Sequence, residues 1–357
     1  MQRVPTSDSQ LRLTDALGQL RGVTVGVVGD LVADRYISGQ SDRVSREAPV
    51  LILQYEREWL RPGGAANVAA NIAALGARAC LVGLVGDDED GGRLTAHLAG
   101  GESGGVDCTR IVRAPRRETI TKTRFLAGAR LTSRQQVLRL DRQPAAPPEP
   151  GLIRRLREAV AALDPQVDAW VASDYGYGSF DESLRTLLRE ISARKPVAAD
   201  SRYELHAFQG MTVVKPNEEE AEAAARALGI AAGDASALAA ALAARLEARA
   251  ALITLGNKGM VLSAGREPVH IAAVGTEEIV DLTGAGDSVA AALATALGGG
   301  ADVETACRLA NHAGAIVVMK EGAATASPEE LRASIARTAP PDESTGQGMQ
   351  PGAGDRH

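Results

Sequence analysis

The sequence predicts an α/β domain with a mainly parallel central sheet, and three observations carry that reading. Short continuous apolar runs such as "TVGVVGD" (24–30) alternate with alanine-rich helical stretches through most of the 357 residues, which is the rhythm of βα units. Hydrophobic residues make up 45% of the chain but aromatics only 3%, so the core is one of Ala, Val and Leu from helices laid on a sheet. Two stretches, roughly 36–60 and 118–141, break the rhythm with alternating polar and apolar residues and many charges. They read as strands of a second, smaller sheet with one wet face, a lid on the first.

The elements follow in order. The run 24–30 is a buried parallel strand with Gly29-Asp30 at its polar end. Residues 35–58 carry charges and Pro49, which suits a hairpin or small sheet. "GGAANVAANIAALGA" (63–77) is a helix entered through two glycines and closed by Gly76. Residues 80–99 return to strand, turn and helix, and 118–142 supply two more lid strands. The proline-rich "QPAAPPEPG" (143–151) is a surface connection. Helices are then expected at 152–163, 181–193, 217–228 and 234–249, and strands at 167–172, 196–200, 211–214 and 250–254. A hairpin at 259–274 precedes helices near 284–298, 302–319 and 328–337. No fixed-period repeat is present. One domain, 1–337, is expected, with 338–357 a disordered Pro/Gly-rich tail.

A net charge of −6 gives no basis for a nucleic-acid surface, so an anionic ligand would need a local cluster of Arg and Lys. Cys80, Cys108 and Cys307 are scattered without CxxC spacing and read as reduced thiols of a cytoplasmic protein, not a zinc site. The mixed-charge N-terminus does not read as a signal peptide, and no apolar run is long enough to span a membrane.

The chemistry concentrates in "DLTGAGD" (281–287). Gly284-Ala285-Gly286 lets the chain turn tightly and leaves its N–H groups bare at a helix start, a place suited to phosphate. A carboxylate there would repel phosphate unless it had a task, and the natural task for Asp287 is taking a proton from an attacking hydroxyl. An acid in a first helical turn is also commonplace, so "GAGD" alone leaves both readings open. The sequence has no G-x-x-x-x-G-K-[ST] and no G-x-G-x-x-G after a strand, which argues against a P-loop enzyme or a dinucleotide-dependent dehydrogenase.

Four further segments precede "DLTGAGD": Gly29-Asp30 with Asp34, "RPGGAANVAANIAALG" (61–76), "VKPNEEEAE" (214–222) and "TLGNKG" (254–259). In this order they resemble the ribokinase-like (PfkB) family of sugar kinases, from about Val23 to Ala336. The resemblance implies a ribokinase-like fold with a β lid, and phosphoryl transfer from ATP with Mg²⁺ to a small-molecule sugar. It implies that Asp30, Asp34, Gly63, Gly64 and Asn67 bind sugar hydroxyls. Lys215, Asn217, Thr254, Gly256, Gly259 and Asn311 would serve the nucleotide, with Asn217 and Glu220 ordering water around Mg²⁺. Gly284, Ala285 and Gly286 would form the anion hole and Asp287 the base. Asp281 and Thr283 match the positions of a monovalent cation, K⁺ being the candidate. Each residue alone has an ordinary alternative: Asn217 a helix cap, Asp30 and Asp34 solvated loop acids.

One branch of the family fits best. "DRYISGQSDRVSREAPVLIL", "RPGGAANVAANIAALGA" and "SRQQVLRLD" resemble the kinase domain that phosphorylates D-glycero-D-manno-heptose 7-phosphate at the anomeric position. Arg43, Arg46, Lys122, Arg124, Arg130 and Arg134 of the lid segments would suit a phosphorylated sugar, with Lys122, Arg124 and Arg134 the clamp on its distal phosphate. A solvated charged face is the ordinary meaning of such runs. Tyr177 stands where the branch often has Lys, and "DSRYE" (200–204) replaces "DPKG". The H-x-G-H of a nucleotidyltransferase is missing, so a single-function kinase is expected, its lid strands candidates for pairing across a homodimer. Kinases for fructose, a fructose phosphate, ribose or a nucleoside are the alternatives. A non-catalytic binder on the same fold is disfavoured because it would not need Asp287.

Overall fold

The computed structural model describes residues 7–100, 105–128, 134–231, 233–275 and 280–338. In chain order the strands are β1 (Thr24–Gly29), β2 (Leu31–Val44), β3 (Leu51–Gly64), β4 (Arg78–Gly86), β5 (Asp107–Ala114), β6 (Ile120–Gly128), β7 (Gln135–Arg142), β8 (Ala169–Asp174), β9 (Val197–Ser201), β10 (Val213–Val214), β11 (Ala250–Thr254), β12 (Met260–Ser263) and β13 (Val269–Ile271). The helices are α1 (Ser7–Gln19), α2 (Ala65–Ala74), α3 (Glu89–Gly100), α4 (Pro150–Leu163), α5 (Glu182–Ser192), α6 (Glu218–Leu228), α7 (Ala235–Arg245), α8 (Ala285–Gly298), α9 (Val303–Val317) and α10 (Pro328–Arg337). The tail expected from 338 onward lies outside the described residues beyond Thr338, and so does Arg130.

The main sheet has the order β13-β12-β11-β10-β9-β8-β1-β4-β5. It is parallel from β5 to β11, and only β12 and β13 run antiparallel. Both faces of the parallel part are covered, which is why β1 reads as a continuous apolar run. Val25 and Val27 enter one core with α2, α8 and α9, while Val28 enters the other with α4, α5 and Trp170 of β8. The chain leaves β1 for β4 on one side and returns to β8 on the other, so the strand order reverses at β1. Ligands of open α/β sheets bind at the carboxyl ends of the strands beside such a reversal.

The predicted lid is a separate sheet, β3-β2-β6-β7. β2 follows β1 after Asp30 alone, and β3 feeds α2 through Gly63-Gly64. Register aligns Arg61, Asp34, Lys122 and Asp141 in one cross-strand row, and Trp59, Tyr36, Arg124 and Arg139 in the next. Side chains in such a row share a face. Tyr36 stacks on Trp59 at 5.2 Å with the planes 2° apart.

Two elements were not foreseen. α1 has a polar sequence, yet Leu13, Ala16 and Leu17 are buried in the main core. β5 is an edge strand whose Thr109 and Arg110 are exposed, and pairing with β4 supplies what its sequence does not. The helix expected over 234–249 ends at Arg245, because Glu247 takes a positive φ of 51° and turns the chain toward β11.

Trp170 is fully buried, with its indole N–H donated to Asp164 at 3.0 Å. Trp170→Ala is expected to lower stability by about 3–5 kcal/mol, seen as a lower urea midpoint with unchanged slope.

Candidate active site

At the carboxyl ends of the parallel strands lies a cavity of about 540 Å³. Strand ends supply its walls: Asp174 of β8 and Tyr175 just after it, Asp200 of β9, Lys215 after β10 and Thr254 of β11. α8 points its N-terminus at the space through Gly284, Gly286 and Asp287, and α6 contributes Glu219 and Glu220. Asp, Asn or Ser side chains cap α5, α6, α7, α9 and α10, whereas no side chain caps α8. Its first-turn N–H groups have no intrahelical acceptor and carry the positive end of the helix dipole, although that of Ala285 donates back to the Leu282 carbonyl at 3.3 Å. Gly284 is left-handed at φ 79°, and a Cβ there would lie 2.6 Å from the Asn67 amide nitrogen, so only glycine fits.

Asp287 is 3% exposed. Asn67 donates its Nδ2–H to Oδ2 at 2.8 Å, and the Tyr175 hydroxyl donates to Oδ1 at 2.7 Å. The Asn67 amide is oriented in turn: its Oδ1 accepts from Asn71 at 3.1 Å, and Asn71 accepts from Ser288 at 2.7 Å. Burial drives the Asp287 pKa up to about 7, against the pull of the Asn67 and Tyr175 hydrogen bonds. Asp200 adds to the rise and Lys215 opposes it. The Lys215 ammonium is 2.9 Å from Asp200 and 3% exposed. Burial would lower the Lys215 pKa, but Asp200, then Glu220 and Asp287, outweigh it and keep the ammonium charged.

The other predicted residues fall into three groups. Gly63, Gly64 and Asp34 come together where lid meets cavity. A Cβ on Gly64 (φ 57°) would lie 2.6 Å from the Asp30 carbonyl oxygen. Asp34, also buried, accepts from Arg124 at 2.5 Å. Asn217 and Glu220 line the cavity as a capping box, each side chain accepting from the other's backbone N–H at 2.9 Å. The cap alternative for Asn217 therefore holds, yet each keeps polar atoms that the box does not use. Asp281 accepts from the N–H groups of Thr283 at 2.8 Å and Gly322 at 3.0 Å. Burial would raise the Asp281 pKa, and these hydrogen bonds overcome it and keep the group ionised.

Two expectations, for Asp30 and Arg134, need correction, and Asn311, Gly256 and Gly259 have structural places of their own. Asp30 does not face an open sugar site: its carboxylate accepts from Tyr175 N (2.8 Å), Tyr177 N (3.1 Å) and Ser179 Oγ (2.5 Å), and so pins the 175–179 turn. Asn311 is buried and donates to the Ala272 carbonyl at 2.7 Å, tying α9 to the segment after β13. Gly256 and Gly259 sit in the turn that follows β11, which brings Thr254 to the cavity wall. Arg134 is engaged by both oxygens of Glu56, at 2.6 and 2.8 Å, so it is not an open cation.

Sequence reasoning missed Tyr175, Asp200, Ser179 and the Asn71–Ser288 link. The signal for Tyr175 and Asp200 was present, since both sit at the ends of predicted parallel strands.

A buried, half-basic carboxylate at an uncapped helix start, beside a polar cavity at the strand ends, defines a phosphotransferase of the α/β class. The particular family is shown by comparison: the chain belongs to the pfkB family of carbohydrate kinases, which it matches over residues 24–330. It is 42% identical over 315 residues to the bifunctional protein HldE of Caulobacter sp. (strain K31), covering 87% of this chain and 62% of that protein. With the protein of the same name from Geobacter sulfurreducens it shares 39% identity over 316 residues, 87% of this chain and 62% of that one. The chain thus spans less than two thirds of the length of these relatives. Escherichia coli phosphofructokinase-2 in complex with substrates and products has the same fold (TM-score 0.69, 19% identity, 88% of this chain and 99% of that one). So does Arabidopsis thaliana ribokinase complexed with ribose and ATP (TM-score 0.63, 20% identity, 89% and 98%). Among the described residues no helix is long and apolar enough to cross a membrane.

Lys215→Met is expected to destabilise the fold by about 3–5 kcal/mol, because it leaves Asp200 buried without its partner. Chemical denaturation measures this, and a loss under about 1 kcal/mol would show that water reaches Asp200.

Proposed function

We propose that this chain transfers the γ-phosphoryl group of ATP to the anomeric hydroxyl of D-glycero-D-manno-heptose 7-phosphate, a step toward nucleotide-activated heptose. The observation that carries the kinase reading is Asp287, held by Asn67 and Tyr175 where α8 meets the cavity. The branch-specific segments of the lid and the HldE relatives support heptose 7-phosphate over other sugars.

Asp287 accepts the proton of the attacking hydroxyl, and a pKa of about 7 makes it a base matched to neutral pH. The N–H groups of Gly286 and Asp287 at the start of α8 stabilise charge on the phosphoryl group in flight, that of Ala285 being turned to the Leu282 carbonyl. Lys215 offsets the acids around it. The unused polar atoms of Asn217 and Glu220 fit a hydrated Mg²⁺, which supplies charge neutralisation for the nucleotide phosphates when bound. Ionised Asp281 beside Thr283 suits K⁺ and would steady the loop ahead of the anion hole.

The lid narrows the choice of clamp. Arg124 is committed to Asp34 and Arg134 to Glu56. Lys122 has no ion-pair partner among the described residues; its ammonium lies 5.4 Å from the ring centre of Tyr175 and 6.0 Å from that of Tyr177. Lys122 therefore takes the distal phosphate in this reading, in charge-assisted hydrogen bonds of about 1.5–3 kcal/mol each.

Asp287→Asn should reduce kcat by roughly 10²–10⁴ while ATP binding persists, and wild-type kcat/KM should fall as pH drops through about 7 and the base protonates. Near-normal turnover by this variant would remove Asp287 from the base role. In a side-by-side assay of heptose 7-phosphate, fructose 6-phosphate and ribose, the first should have the highest kcat/KM. Lys122→Ala should raise its KM well above any change in KM for ATP, and Arg134→Ala should do so far less. Best turnover of ribose would return the chain to the kinases of neutral sugars.

A further inference from the structure

Tyr175 was given no role by the motifs read from the sequence, yet among the described residues it makes one of the two hydrogen bonds that the Asp287 side chain accepts. The residue is half-buried, and its hydroxyl lies against Oδ1 of Asp287. The turn that carries it is fastened at three levels. Asp30 gathers the N–H groups of Tyr175 and Tyr177 and the Ser179 hydroxyl. Arg117 donates to the Tyr177 carbonyl at 2.9 Å and to the Ala146 carbonyl at 2.8 Å, which binds the proline-rich connection to the same turn. Asp174, which ends β8, accepts from Gly176 N at 2.9 Å and from Ser201 Oγ at 2.7 Å. A turn tied to four other segments holds the Tyr175 hydroxyl in place.

We propose that Tyr175 is a positioning residue of the transfer reaction: its hydroxyl fixes the Asp287 carboxylate from the side opposite Asn67 and favours the ionised form that takes the substrate proton. The proposal rests on Asp287 acting as the base. Asn67 comes from α2 and Tyr175 from the turn after β8, so the carboxylate is gripped from two elements and cannot rotate toward either. Charges also face it from the neighbouring strands. Asp200 disfavours its ionisation and Lys215 favours it. Asp34 acts on the Tyr175 hydroxyl and Glu220 on Lys215. Of these groups only Tyr175 and Asn67 touch the base. A hydroxyl that donates to a carboxylate stabilises the anion, so its loss must raise the pKa.

The test is a titration of the free full-length protein by ¹³C NMR with side-chain-labelled aspartate, the Asp287 signal being identified by its loss in Asp287→Asn. In Tyr175→Phe the midpoint should move up by about 1 unit. Protein grown with 3-fluorotyrosine, which keeps the hydroxyl and makes it a stronger donor, should move down, and this arm needs no substitution that could impair folding. An unchanged midpoint in either overturns the proposal. In kcat/KM for heptose 7-phosphate, Tyr175→Phe should show a deficit of about tenfold at pH 6 that closes by pH 9, as an upward shift of one unit requires. A deficit equal at all pH values means a merely structural role and also overturns it. The NMR midpoint does not depend on turnover, so an active Asp287→Asn enzyme would reject the base assignment alone.

Discussion

A carboxylate that is to accept a proton near neutrality has to be taken out of water without losing its charge altogether, and the architecture around residue 287 is organised by that tension. Full desolvation would leave Asp287 protonated and useless, while solvent exposure would leave it too weak a base. The chain resolves the conflict with two hydrogen-bond donors, the positive end of α8 and one ammonium two strands away. Each comes from a different element, so the local field exists only when the sheet, α2 and α8 are all assembled. The chemistry is in this sense a product of the fold and not of a contiguous motif.

The glycines serve the same end by proximity. Gly284 lets Asn67 come against the start of α8, and Gly64 lets the lid-to-α2 junction lie on the Asp30 backbone. A single methyl at either point would push apart elements that must share one small volume. These contacts also join the lid to the site. Asp30 lies between β1 and β2 and holds the turn that presents Tyr175, so a displacement of the lid root is felt at the base.

Most of the fold could be read from the sequence because buried parallel strands and alanine-rich helices leave period and composition signals that need no partner. β5 and α1 were illegible for the complementary reason: an edge strand with Thr109 and Arg110 turned to solvent, and a polar helix with three inward residues, acquire their structure from what they pack on. In the site, Asp287 and the glycines ahead of it were legible because the demand for bare N–H groups is local. Asn217 and Glu220 were legible as a pair, though the same spacing serves a helix cap. Tyr175 and Asp200 were legible only as strand-end positions and Ser179 not at all, since their roles depend on which strands are neighbours. Asp30 was located at the right strand end and given the wrong task, because sequence position does not say whether a carboxylate looks outward or holds a turn.

Charge in the lid shows where counting residues misleads. The basic side chains there suggested a cationic face, but the folded lid pairs several of them internally: Arg35 on Glu58, which also takes Arg93 of α3, Arg134 on Glu56, and Arg124 on Asp34. The pairs differ in consequence. The half-exposed ones contribute on the order of 0–1 kcal/mol and can exchange partners at little cost. Asp34 and Arg124 are enclosed, so separating them would strand a buried charge at several kcal/mol. A ligand anion arriving at the lid would therefore not draw Arg124 from Asp34 unless it offered a better-placed partner, whereas Lys122 has no such bond to give up. What decides affinity for an anion is a cation without a carboxylate bonded to it, and in the row Arg61–Asp34–Lys122–Asp141 Lys122 is such a cation, placed beside the rings of Tyr175 and Tyr177. The departure from the family at Tyr177 thus lies next to a lysine from another strand, so positive charge reaches this corner of the site from β6 and not from the turn after β8.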